Sequence, residues 1–115
     1  MKDDAGDTGW TAGARIFSGR RDPAWPVAAS SADQLLAIWQ GLTPVAQWPP
    51  PRPIAGYRGC WLRAASGARW LAYDDVVLMS TGASIVGRAD GAHAFARAVL
   101  RSAPAGTLPA DLVMP

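Results

Sequence analysis

The sequence predicts an α+β domain, a small antiparallel sheet of four to five strands packed with two helices in the order β-α-β-β-β-(β)-α. Three observations predict it. Large apolar side chains recur at helical spacing after Ser31, and they do so again after Asp90. Between them lie short apolar runs separated by turn-forming pairs such as Ser66-Gly67 and Thr81-Gly82. Strands set between segregated helices make an α+β fold, and 115 residues, half of them apolar, suffice for one core.

Residues 1–12 read as a disordered acidic leader, 13–103 as a single α+β domain and 104–115 as an irregular tail. Ala14-Arg15-Ile16-Phe17 has the character of a short strand ended by Ser18-Gly19. The first helix is expected to start at Ser31, an N-cap with Gln34 at capping-box spacing. Leu35, Ile38, Trp39 and Leu42 then share one face, and Pro44 cannot continue the helix. Trp48-Pro49-Pro50-Pro51-Arg52-Pro53 must be extended, as a stiff connector lying on the protein's own tryptophans or as a ligand for an aromatic groove.

A hairpin follows, with strands at 59–65 and 68–73 around a two-residue Ser66-Gly67 loop. That register sets Arg63 opposite Trp70, Leu62 opposite Leu71 and Cys60 opposite Tyr73. Strand side chains alternate, so Trp61, Arg63 and Trp70 are expected together on one face and Cys60, Leu62, Leu71 and Tyr73 on the other. Asp74-Asp75 is a turn, Val76 to Met79 a third strand, and Ala83 to Val86 a short return. The second helix begins near Asp90 and runs to about Ser102, with Ala92, Phe95, Ala96 and Val99 inward and His93, Arg97 and Arg101 on a solvated stripe.

The composition narrows the chemistry. All nine acids are aspartate and ten of the eleven bases are arginine, a pattern that a G+C-rich genome produces by codon usage alone. The net charge is only +2 and the arginines are spread along the chain, so no basic stripe marks a nucleic-acid binder. One cysteine, Cys60, gives no internal disulfide. No apolar h-region opens the chain and no run is long enough to cross a bilayer, so the expectation is a soluble, cytoplasmic protein.

Neither a nucleophile elbow nor a phosphate-binding loop appears, and no ligand spacing calls for a metal or cofactor. His93 is the single histidine and lies beside two arginines. A Cys60–His93 pair would require Cys60 to leave its apolar strand neighbours.

Two arrangements remain as candidate binding residues. One is the turn of Arg20, Arg21, Asp22 and Trp25, stiffened by Pro23 and Pro26, where an arginine fork could meet a carboxylate or phosphate. Its structural alternative has Asp22 pairing locally with an arginine while Trp25 plugs the core beside Ile16 and Leu35. The other is the face of Trp61, Arg63 and Trp70, which joins the residue types enriched at interfaces and is alternatively covered by a helix or the Pro-rich arm. The expected function is therefore a non-catalytic domain that binds a protein or peptide. Single-stranded nucleic acid stacked on Trp61 and Trp70 is the alternative, and cysteine chemistry at Cys60 a third reading.

The run Phe17-Ser18-Gly19-Arg20-x-Asp22-Pro23-x-Trp25 resembles a group of small uncharacterised bacterial proteins. They continue with a helix, a Gly-Tyr-Arg-Gly step (here Gly56 to Gly59) and a last helix entered from Asp-Gly (here Asp90-Gly91). The resemblance covers most of the chain after residue 13 and departs from the group at Arg21-Asp22, where a Pro-Asn pair is expected. No activity is established for that group, so the resemblance implies a fold unit and no function.

Overall fold

The computed structural model describes residues 9–16, 21–50, 58–110 and 112. Among these residues seven antiparallel strands form one sheet in the order β2-β1-β4-β5-β6-β7-β3. The strands are β1 (Thr11–Ala14), β2 (Ala24–Pro26), β3 (Thr43–Val45), β4 (Cys60–Arg63), β5 (Arg69–Tyr73), β6 (Val76–Thr81) and β7 (Ser84–Ala89). The helices are α1 (Ala29–Gly41) and α2 (Ala94–Arg101). The α+β class holds, but four to five strands is an undercount. The two strands not foreseen, β2 and β3, are the edges, each three residues long and each containing a proline. Proline cannot donate to a ladder, so it is tolerated at an edge and there discourages another chain from pairing.

The helices cover one face of the sheet. In α1, Ala32, Leu35 and Trp39 are buried at spacings of three and four, with Ile38 and Leu42 partly covered beside them. The helix begins at Ala29, before Ser31, and no side chain caps it, so the expected capping box does not form. At its other end Arg88 of β7 donates to the Trp39 carbonyl at 2.8 Å and lies 4.4 Å over the Trp39 ring. A cation thus reaches the negative end of a helix whose own last turn carries none.

The second helix starts at Ala94, four residues after the expected position. Asp90 nevertheless caps it from a distance. The chain turns through His93 in the left-handed region, with φ of 57°, and the buried Asp90 carboxylate accepts from the backbone N–H groups of Ala94, Phe95 and Ala96. These are donors a helix start leaves unsatisfied. Phe95, Ala96, Val99 and Leu100 then face the core, whereas Ala92 is exposed ahead of the helix. His93 is half-buried with Nδ1 shielded, which removes it from the solvated stripe.

At the chain ends, β1 begins at Thr11 and Val27 N–H already bonds to the Trp10 carbonyl, so the sheet starts inside the expected leader. Leu108 and Leu112 rest against the core, fastening the irregular tail. Phe17 to Arg20 and Pro51 to Tyr57 lie outside the described residues.

Candidate functional site

The face of the sheet opposite the helices carries the site, and one residue of register decides what stands on it. The β4–β5 loop holds three residues, Ala65-Ser66-Gly67. Ala64 N–H bonds to the Ala68 carbonyl, Gly67 N–H to the Ala64 carbonyl, and Gly67 takes a φ of +98° that its missing side chain permits. The observed pairs are Cys60↔Ala72, Trp61↔Leu71, Leu62↔Trp70 and Arg63↔Arg69. The two-residue loop expected from Ser66-Gly67 is corrected by one residue, and a slip of one moves a strand's side chains to the other face.

Trp70 therefore joins Cys60, Leu62 and Ala72 in the core, and Leu71 and Tyr73 join Trp61 and Arg63 opposite. The expected Trp61–Arg63–Trp70 face loses Trp70, which is 5% exposed and packs on Trp10 with ring centroids 5.9 Å apart. It gains Arg69.

Within the Arg20–Trp25 turn, Trp25 is corrected as a binding residue. Trp25 is 2% exposed, and its Nε1 donates to Ser102 Oγ at 2.9 Å, tying the edge strand β2 to the end of α2. Asp22 Oδ1 accepts from Ile16 N–H at 2.9 Å, closing the turn on itself. Arg21 is exposed, and Arg20 lies outside the described residues. The segment is a clamp, and Trp25 sits in one core with Ile16 and Leu35.

The open face is divided in two. Over β5 to β7 lies the chain's own arm. The Trp48 ring sits so close to Gly87 that a Cβ there would come within 2.6 Å of it, and Tyr73 O–H donates to the Pro49 carbonyl. Burial, then the Asp74 charge beside it, raises the Tyr73 pKa above its ordinary value. Trp48 to Pro50 thus lie on the protein's own sheet, through Gly87 and Tyr73 where tryptophans were expected, while Pro51 to Pro53 lie outside the described residues.

Beside the arm is an open concavity of about 410 Å³. Among its lining residues is Trp61, half-buried and lying against Gly13 of β1. Leu71, Leu78 and Ile85 continue an apolar diagonal across β5, β6 and β7, and Ile85 is 55% exposed. Arg15, Arg63 and Arg69 complete the rim, with Arg63 lying 5.6 Å from the Trp61 ring centroid. Trp70 borders the same space although its side chain belongs to the core.

Other chemistry finds less support. Cys60 is fully buried, its Sγ 3.7 Å from the Ala96 carbonyl. No group of three or more metal-ligating side chains occurs among the described residues, and no described helix is long and apolar enough to cross a membrane. Comparison with protein families, with curated proteins and with solved structures finds no match, so the functional reading rests on this geometry.

Proposed function

We propose that the protein is a small binding domain that recognises a protein or peptide partner through the open face of its sheet. The observation that carries this reading is the concavity around Trp61, where a half-buried indole, an exposed Ile85 and arginine side chains form one amphipathic surface. An aromatic anchor in a shallow pocket with arginine beside it is the combination on which binding energy concentrates. The indole is already oriented by Gly13 beneath it and Arg63 beside it, so little side-chain freedom is lost on contact. Both sheet edges carry proline, which favours a partner lying on the face over one adding a strand.

The nucleic-acid reading is weaker. It needs successive stacking platforms, and with Trp70 in the core the concavity offers Trp61 flanked by aliphatic side chains. A cysteine-based activity would need Cys60 to be accessible.

The test is a photo-crosslinking side chain placed at Ile85, compared with the same group at the exposed Ala37 of α1, in native lysate. A discrete adduct from position 85 that Trp61→Ala abolishes is expected. Identical adducts from both positions, or none from 85, would contradict the proposal.

A further inference from the structure

Resting on that reading, we infer that the occupant of the open face is an acidic, extended peptide segment whose carboxylates meet Arg15, Arg63 and Arg69 and whose apolar side chains lie on Trp61 and Ile85. The first support is charge. Three guanidinium groups border one concavity, and none of its described lining residues is acidic. No ion pair of these three arginines is found among the described residues.

The second support is the register. Ala64 and Ala68 form a hydrogen-bonded pair, so by alternation Arg63 and Arg69 face each other at a non-hydrogen-bonded position, where cross-strand side chains stand closest. Like charges there oppose folding. A sheet that places two arginines opposite each other beside a third has a surface prepared for an anion.

The third support is the arm. Trp48 and Pro49 show that this face accepts a stretch of chain, and Leu78 is shared: like Trp48 it lies beside Gly87, and it also lines the concavity. The free space thus continues from a seat already holding peptide. From β4 to β7 is about 15 Å at ~4.8 Å per strand, or about five extended residues at ~3.3 Å each. Such a segment alternates its side chains, so an alternation of acidic and apolar residues suits a surface that mixes arginine with Trp61 and Ile85. The aliphatic lining of Leu71, Leu78 and Ile85 favours apolar side chains over stacked bases.

The experiment is a titration of the full-length, isotope-labelled protein with three probes, followed by NMR. They are a capped peptide of about seven residues alternating Asp and Leu, its counterpart with Asn for Asp, and an oligothymidylate of similar length. The acidic peptide is expected to move the signals of Trp61, Arg63, Arg69 and Ile85. It should bind about tenfold or more tightly than the Asn peptide, and Arg63→Gln with Arg69→Gln should remove that advantage. Arg69→Gln alone should unfold at the same or a higher denaturant concentration, because it relieves the like-charge pair.

Equal binding of the two peptides at this face would overturn the acidic assignment while leaving the contact surface standing. Shifts mapping elsewhere, no binding of the acidic peptide, or tighter binding of the oligothymidylate would overturn it too. So would a lower unfolding midpoint for Arg69→Gln, which would make Arg69 a structural residue. Failure of the proposed function itself would appear separately, as the missing adduct from position 85.

Discussion

On the helix side of the sheet Trp10, Trp25, Trp39 and Trp70 belong to one core or pack against it, whereas on the opposite side Trp48 and Trp61 each lie against a glycine, Gly87 and Gly13. The four are held by neighbours on several elements, among them Ser102 for Trp25 and Arg88 for Trp39. The two rest on bare backbone and keep part of their surface free. Burial from several sides, nearly complete for Trp25, Trp39 and Trp70 and partial for Trp10, fixes the fold. A ring laid on glycine is oriented and still available, which is the state a recognition surface requires. The same residue type thus serves stability on one face and contact on the other.

Substitutions can break this comparison at several strengths. The largest effect is expected from Trp25→Ala, which removes a fully enclosed indole and its bond to Ser102. A loss of about 3–5 kcal/mol in urea unfolding is expected, a large share of a small domain's stability, against about 1 kcal/mol or less for Trp61→Ala. Equal losses would erase the distinction between the faces. Next comes Asp90→Ala, which strips three backbone donors of their acceptor and should cost about 2 kcal/mol, with amide exchange accelerating first in α2.

Gly87→Ala sharpens the comparison. The new methyl must displace Trp48, so a loss of about 1–2 kcal/mol with a red-shifted tryptophan emission is expected. The smallest effect concerns Tyr73. Its pKa is raised above the ordinary 10.0, so the folded state holds the phenolic proton more tightly than the unfolded chain. The stability this contributes is complete below pH 10.0 and is lost as the pH rises through the folded value. Alkaline unfolding followed by circular dichroism should show that loss, and Tyr73→Phe should flatten it.

How much of this was legible in the sequence differs between centre and periphery. The helices and the inner strands carry long apolar patterns, and Leu35, Trp39, Phe95, Ala96 and Val99 were readable as core from their spacing. The edge strands were not, because a three-residue Ala-Trp-Pro or Thr-Pro-Val segment has no period to detect and contains the residue that argues against a strand. Trp61 and Arg63 were legible as one face. Arg69 was missed because Ser-Gly suggests a two-residue loop, whereas Ala65 enters the turn and Gly67 supplies its left-handed residue. The Asp22 clamp and the Asp90 cap both act through side chains whose partners are set by tertiary structure, although Asp90 was readable as a helix signal. Gly13 and Gly87 gave no sequence signal of what would lie on them.

The division between the faces rests on the β4–β5 register, and through-space proton contacts between the two strands test it most directly. Close Hα–Hα contacts between Arg63 and Arg69 and between Trp61 and Leu71 are expected at the non-hydrogen-bonded positions. A ladder shifted by one, pairing Arg63 with Trp70 and Trp61 with Ala72, would return Trp70 to the open face and contradict the site.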